Sequence, residues 1–338
     1  MSGLAMAKLM KKILLLASCF LLLASSALAT EIKVAVIAPE GSTWVNVLKE
    51  WNKALEAKTS GRVKLTIYAG GVSGDEKDVI RKMQIGQIHA AGFTGVGLGS
   101  IYPSVRIFEL PLFFKNYDEV DYVTGKFQKQ MEEGFAKKGY VLLGWAEAGF
   151  VNIFSNAPIK SQKDMQGVKM WAWEGDPLVG AMYDAFKIVP VPLSLVDVLT
   201  ALQTNMISAV YAPPLGAIAM QWHAKTKYVT NLNLADSTGA LLMSKREFDK
   251  LSPGDQQALK DTAREYCKKL VTLTRADNAK SITALKNQGL VFVNVDPKEA
   301  MNLETVSSSV WNSLAGKLYT PQMLMDAKKY LAEARSKK

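Results

Sequence analysis

The sequence predicts an α/β protein of two lobes, with a hinge and one long helix spanning both. Three observations carry this. Strand and helix patterns alternate from Ile32 to about Gly125 and begin again near Tyr140, the order that builds a sheet with helices on its faces. A helical pattern of about 35 residues opens at Ser252, which at 1.5 Å per residue makes roughly 50 Å. The 338 residues, 49% hydrophobic and 21% charged, have an ordinary globular composition with room for two domains.

The first 29 residues stand apart. Lys8, Lys11 and Lys12 form a basic head, Ile13 to Leu23 an apolar run and Ala27-Leu28-Ala29 a small-x-small cleavage signal, so export with cleavage before Thr30 is expected. The run is too short and too early to favour a permanent anchor. Leu16-Ala17-Ser18-Cys19 also fits a lipobox, but Phe20 to Leu23 stay apolar where a lipoprotein turns polar, which favours plain secretion over a lipidated Cys19. Without the leader, 38 basic residues face 31 acidic ones, a balance of +7, and Cys267 is the remaining cysteine. An exported chain with no cysteine pair has no internal disulfide and depends on its core. The basic residues are scattered apart from short pairs such as Lys137-Lys138, Lys268-Lys269 and the Lys337-Lys338 tail, so a solvated surface is expected and nucleic-acid binding is not.

In chain order, Ile32 to Ala38 reads as a strand, followed by the turn Pro39-Glu40-Gly41 and a helix capped by Ser42 or Thr43 that runs to about Thr59. Val63 to Tyr68 is a strand. Gly70-Gly71-Val72-Ser73-Gly74 would suit a phosphate cradle, but no Gly-Lys-Ser/Thr follows, and a tight connection into the helix Asp75–Gln84 is the favoured reading. Gly95-Val96-Gly97-Leu98-Gly99 lacks the dinucleotide spacing. A strand is expected over His89–Phe93 and a helix over Pro111–Gly125. Val141–Trp145 and Val151–Phe154 read as two strands, the second running between lobes. Next come the helix Pro177–Phe186, the strand Ile188–Val191, the helix Leu195–Gln203, a strand Ser208–Tyr211 closed by Pro213-Pro214, and a returning strand Gly239–Met243. Ser252-Pro253-Gly254-Asp255 opens the long helix with a cap, a first-position proline and a first-turn acid. It runs to about Asn287, the alternative being two helices kinked near Asp277-Asn278. Val291–Asn294 and two helices close the chain. The lobes are drawn as 30–150 plus 238–282, and 151–237 plus 283–338.

Catalytic equipment is sparse. His89 and His223 are far apart, no Cys/His cluster has metal spacing, and no Gly-x-Ser-x-Gly elbow occurs. Cys267 lies mid-helix, the place of a structural thiol. No cofactor is expected, and a two-lobe exported protein of this kind points to a hinged binding protein rather than an enzyme. Attention falls on Val168 to Trp173, a short strand that puts Trp171 and Trp173 on one face as either a core plug or a ligand wall. Gly175-Asp176-Pro177 reads as a loop at its carboxyl end, where ligands sit in open α/β sheets, and this favours the wall.

Six segments, in order, carry a family resemblance: Lys58-Thr59-Ser60-Gly61-Arg62-Val63, Gly74-Asp75-Glu76, Ile85-Gly86-Gln87-Ile88, Phe108-Glu109-Leu110-Pro111-Leu112-Phe113-Phe114, Asp164-Met165-Gln166-Gly167-Val168-Lys169-Met170, and Asp197 to Asn205. Over essentially the whole mature chain the protein resembles the DctP-type solute-binding component of tripartite ATP-independent periplasmic (TRAP) transporters. The resemblance implies a two-lobe periplasmic binding protein fold in the periplasm, closure around one solute, and delivery to a permease of a small and a large membrane subunit. It also implies an arginine pairing with a ligand carboxylate. That position here is Trp171, which offers one donor, no charge and a large apolar face. Ala212 stands where many members have asparagine, Val151 at another arginine position, and Thr94 at a polar pocket position of sialic-acid-binding members. The expected ligand therefore has apolar or aromatic surface, as for members that work with a helical-repeat (TPR-type) partner. An organic acid held by backbone N–H groups or another cation is the alternative. An exported enzyme or a sensory module on the same scaffold is the remote one.

The pocket is expected from Trp44, Glu76, Thr94, Gly95, Phe150, Asn152, Trp171, Trp173, Leu195, Tyr211 and Pro213. For Trp44 and Leu195 a core role is an equal reading.

Overall fold

The computed structural model describes residues 29–337, and the expected leader with Cys19 lies outside the described residues. Among the described residues nine strands join in one sheet of order β2-β1-β3-β8-β4-β7-β5-β6, with β9 beside β8. On one flank β1 (Thr30–Val36) pairs in parallel with β2 (Val63–Tyr68) and β3 (Ala90–Thr94). Two long antiparallel strands, β4 (Tyr140–Ser155) and β8 (Tyr228–Ser244), cross the middle. On the other flank β5 (Lys169–Trp173) pairs in parallel with β6 (Val189–Leu193) and β7 (Ala209–Ala212), and β9 (Val291–Asn294) joins β8. Each flank is the sheet of one lobe, and the β4–β8 ribbon is what they share.

The helices are α1 (Thr43–Lys58), α2 (Glu76–Gln84), α3 (Gly95–Ile101), α4 (Tyr117–Lys137), α5 (Gln162–Met165), α6 (Pro177–Phe186), α7 (Val198–Gln203), α8 (Pro214–Ala219), α9 (Lys245–Phe248), α10 (Pro253–Asn287), α11 (Pro297–Leu314) and α12 (Pro321–Ser336). Among the described residues no helix is long and apolar enough to cross a membrane.

The ribbon differs from the sequence reading. Val141–Trp145 and Val151–Phe154 are parts of one strand, because Glu147 and Gly149 interrupt the apolar pattern without interrupting the pairing. Glu147 is matched by Arg275 of α10 at 2.6 Å. Gly149 has φ +105°, and a Cβ there would lie 2.4 Å from the Asn278 amide. The β4–β8 register shifts at Leu142/Gly144, Glu147/Gly149 and Val151/Ile153, and such bulges bend a ribbon where it passes between lobes.

Other departures have similar causes. The helix expected over Pro111–Gly125 is α4, because Leu110 to Phe114 plug the core as a turn in which Leu112 takes φ +53°. Asn116 caps α4 by accepting from Glu119 N at 3.1 Å, and Gly125 sits inside the helix with nothing near its Cβ direction. The glycine run Gly95–Gly99 lies within α3. Pro213-Pro214 opens α8 rather than merely closing a strand. The long helix α10 is a single unit of 35 residues with no break at Asp277-Asn278.

That helix ties the lobes. Asp277 accepts from Thr43 Oγ1 at the start of α1 (2.7 Å). The Asn278 amide donates to Ala148 O of β4 (2.8 Å) and accepts from Leu215 N of α8 (3.0 Å). At the chain end, Met323, Leu324, Ala327 and Leu331 of α12 share a core with Phe127, Met131 and Phe135 of α4. The last helix thus packs on the lobe opposite to the one expected for residues 283–338, because its apolar stripe meets α4.

Candidate functional site

The carboxyl ends of β1, β3, β5 and β7 converge on a cavity of about 320 Å³. Its walls come from both lobes: the turn after β1 and the start of α1, the end of β3, β5, Leu195, and α8 with the turn behind it. The aromatic side is built around Trp171, 2% exposed. Its ring stacks on Tyr211 (centroids 4.7 Å apart, planes at 16°) and meets Trp222 edge-on at 5.1 Å and Trp173 at 5.6 Å. The Trp171 Nε1–H donates to Leu193 O at 3.1 Å, and the Tyr183 hydroxyl donates to Trp171 O at 2.6 Å. Trp171 is therefore both core and wall. Its single donor is taken, so it offers the cavity only carbon surface.

Opposite it, Trp44 lies across two strands that must carry glycine. A Cβ at Gly92 or Gly239 would sit 3.1 or 3.2 Å from the indole. At the rim, Asp75 accepts from Trp173 Nε1 (3.1 Å) and from Leu195 N (3.2 Å), so a helix cap of one lobe holds two wall residues of the other. No lining side chain is charged. The polar side-chain atoms among the walls are the hydroxyls of Ser42, Thr43, Thr94, Tyr211, Ser237 and Thr274 and the indole N–H groups of the four tryptophans.

Of the expected pocket residues, Trp44, Thr94, Trp171, Trp173, Leu195, Tyr211 and Pro213 line this cavity together. Four do not. Glu76 lies behind Thr94, accepting from Thr94 N (2.6 Å), Thr94 Oγ1 (2.9 Å) and Gly97 N (2.7 Å), and burial outweighs these bonds and pushes its carboxyl up to about 8. Gly95 is a seat for another side chain, since a Cβ there would lie 2.1 Å from the Glu109 carboxylate. Phe150 packs in the core against Tyr117 at 4.8 Å. The Asn152 amide donates to Thr230 O (3.3 Å) and Leu232 O (2.9 Å), pinning the ribbon where its register shifts.

Behind the cavity, sharing Thr94, Val151, Trp173, Tyr211 and Ser237, lies a smaller annex of about 70 Å³. It is charged. Arg106, 4% exposed, sends Nη2 to Asp176 Oδ2 at 2.8 Å and places Nη1 3.0 Å from Glu109 Oε2. Burial opposes the Arg106 charge, but Asp176 and Glu109 outweigh it and hold the guanidinium protonated. Asp176 also caps α6 by accepting from Leu178 N (2.9 Å), and Glu109 accepts from Thr238 N (3.0 Å). Burial raises the Glu109 carboxyl to about 7 against the pull of Arg106. The fourth group, Asp236, is 1% exposed, and neither carboxylate oxygen has a hydrogen-bond partner. Burial, with Glu147 and Glu109 near, pushes its carboxyl well above the usual range.

Sequence reasoning missed the annex and the wall made by Ile218 of α8 with Met220 and Trp222 in the turn behind it. The Gly95–Gly99 run was the available signal. A Cβ at Gly95 would meet Glu109, one at Gly97 would meet Phe93 and Glu76, and one at Gly99 would lie 2.6 Å from Arg106. Alternate glycines on a short helix mark large side chains pressed against it.

Comparison with known proteins places these features. A solute-binding protein of Verminephrobacter eiseniae is 28% identical over 81% of this chain and 82% of its own. The 2,3-diketo-L-gulonate-binding periplasmic protein YiaO of Escherichia coli is 27% identical over 74% of this chain and 77% of its own. The crystal structure of a TRAP periplasmic solute-binding protein from Pseudomonas putida F1 with bound D-glucuronate superposes with a TM-score of 0.81 at 27% identity, covering 88% of this chain and 96% of that one. Residues 34–317 match the DctP family model, and the chain belongs to the bacterial extracellular solute-binding proteins of family 7.

Proposed function

We propose that this receptor closes its two lobes over a ligand with substantial apolar or aromatic surface and delivers it to the small and large membrane subunits of a TRAP permease. One observation carries the choice of ligand: none of the side chains lining the 320 Å³ cavity is charged. A carboxylate placed there would be desolvated without a counter-charge, at a cost of several kcal/mol. An apolar body instead gains roughly 25 cal/mol for each Å² it buries. Trp171 stands where the family resemblance leads one to expect the ligand-binding arginine. Hinge motion is assigned to the β4–β8 ribbon near Val151, with the lobes divided there. Export through the leader to the periplasm belongs to the same proposal, as does a helical-repeat partner taking the ligand in transit.

The second reading follows from the sugar acids named for the E. coli and P. putida relatives. An acid would need a cation, and Arg106 of the annex, which faces Glu109 and Asp176, keeps its Nε and Nη1 without a hydrogen-bond partner. Native mass spectrometry of the receptor as purified, followed by denaturation and identification of the released molecule, separates the two. We expect an aromatic or aliphatic compound that Trp171→Phe and Trp44→Leu bind roughly tenfold more weakly, the size of one lost anchor contact. A small hydrophilic acid held equally well by both variants would overturn the proposal.

A further inference from the structure

We propose that the annex receives a protonated amine at one end of the ligand, with the Asp236 carboxyl group as its partner. This rests on the reading above, in which the main cavity holds the apolar body of the same molecule.

The argument starts from charge. Around the annex one cation, Arg106, faces three carboxyl groups: Glu109, Asp176 and Asp236. Arg106 lies between Glu109 and Asp176, each of which has a further backbone N–H as partner, while its own Nε and Nη1 make no hydrogen bond. Asp236 has neither a cation nor a hydrogen-bond donor, although it is 1% exposed. A buried polar group without a partner is costly, and more so when charged, so such an orphan points to something that arrives later. The other charges near Asp236 do not supply it. Arg275, the remaining cation in range, is committed to Glu147 (2.6 Å) and to Asp121 (2.8 Å). Among the described residues no three His, Cys, Asp or Glu side chains gather as a metal site.

Size and shape agree. The annex holds about 70 Å³, space for two or three non-hydrogen atoms when a water occupies roughly 30 Å³. That fits an ammonium with one or two carbons. Trp173 and Tyr211 border both spaces, so their rings present faces to a cation crossing from the cavity. A carboxylate head would instead meet three carboxyl groups against the one guanidinium of Arg106.

The test uses three probes with one aromatic body and different heads: phenethylamine, phenethyl alcohol and hydrocinnamate, with glucuronate as a hydrophilic control, titrated calorimetrically into the purified receptor. We expect phenethylamine to bind at least roughly tenfold tighter than the alcohol, about 1.4 kcal/mol, and hydrocinnamate to bind weakest. In Asp236→Asn the amine should fall to the level of the alcohol, whose own affinity should not change. An amine no better than the alcohol, an amine advantage that survives Asp236→Asn, or a preference for the acid would overturn the annex proposal. Equal binding of all three aromatic probes would do so while leaving the apolar-body reading intact. Binding of glucuronate alone, or of none of the four, would sink both. Should Asp236→Asn not fold, the ranking in the unmodified receptor still decides.

Discussion

The cavity and the annex use Thr94, Val151, Trp173, Tyr211 and Ser237 as common walls but are otherwise opposites. The cavity is carbon surface with a few hydroxyls. The annex, under a quarter of its size, packs one arginine and three carboxyl groups around a void. Apolar surface attracts in proportion to area and hardly cares about orientation. A buried charge network attracts little on balance but strongly rejects a wrong head group. In the proposal above, the cavity selects the body of the ligand and the annex its end.

The largest effect that sharpens the contrast is expected at Asp176. Asp176→Ala leaves Arg106 with Glu109 alone and removes the cap of α6. Breaking a buried pair costs about 3–5 kcal/mol, with about 1 kcal/mol more for the cap. Urea unfolding of the unliganded receptor reads this directly. A loss below about 1 kcal/mol would show that Arg106 finds another partner and that the annex is not held as described.

A medium effect is expected from pH. Glu109 has an ordinary carboxyl value of 4.5 when unfolded and about 7 when folded, and Glu76 about 8. Because the folded values are the higher ones, the folded state binds the proton more tightly. The stabilisation is complete below about 4.5 and is lost as pH rises through 7 and 8. Glu109 alone contributes on the order of 3 kcal/mol across that window, at about 1.4 kcal/mol per unit. Carboxylates whose values are lowered, such as Asp78 and Asp255, act below this range and do not blur it. Urea midpoints should fall between pH 5 and 8, and Glu109→Gln should flatten part of the slope. A wild-type midpoint that does not move would remove the buried carboxyl groups from the account.

The same contrast explains what was legible in the sequence. Trp171, Trp173 and Tyr211 were readable because period-two patterning and a following loop place side chains at the carboxyl end of a strand. The boundaries of α6, β2 and β9 and the span of α10 followed from caps, prolines and short apolar runs. The annex was not readable, because Arg106, Asp176 and Asp236 lie on three distant segments and look like solvated residues in one dimension. Local patterns say which face a residue takes, and only the fold says which distant charge it meets. Glu76, Asn152 and Phe150 failed the other way. Glu76 opens α2 and the other two lie within β4 near the cavity, yet backbone bonds or the core claim them.

The smallest effect tests the wall the two spaces share. Trp173 borders both, and its Nε1–H donates to Asp75, the cap of α2 in the opposite lobe. Trp173→Phe keeps an aromatic face but removes that donor, leaving Asp75 with Glu76 N (2.5 Å) and Leu195 N (3.2 Å). One net hydrogen bond is about 1 kcal/mol, so unfolding free energy should drop by that much and no more. If ring surface is all that the ligand body meets there, aromatic probes should bind the variant nearly as well as wild type. A loss of stability above about 2 kcal/mol would mean that indole volume, rather than the bond to Asp75, separates cavity from annex. In that case the two spaces would merge in the variant, and the preference among head groups should weaken along with the stability.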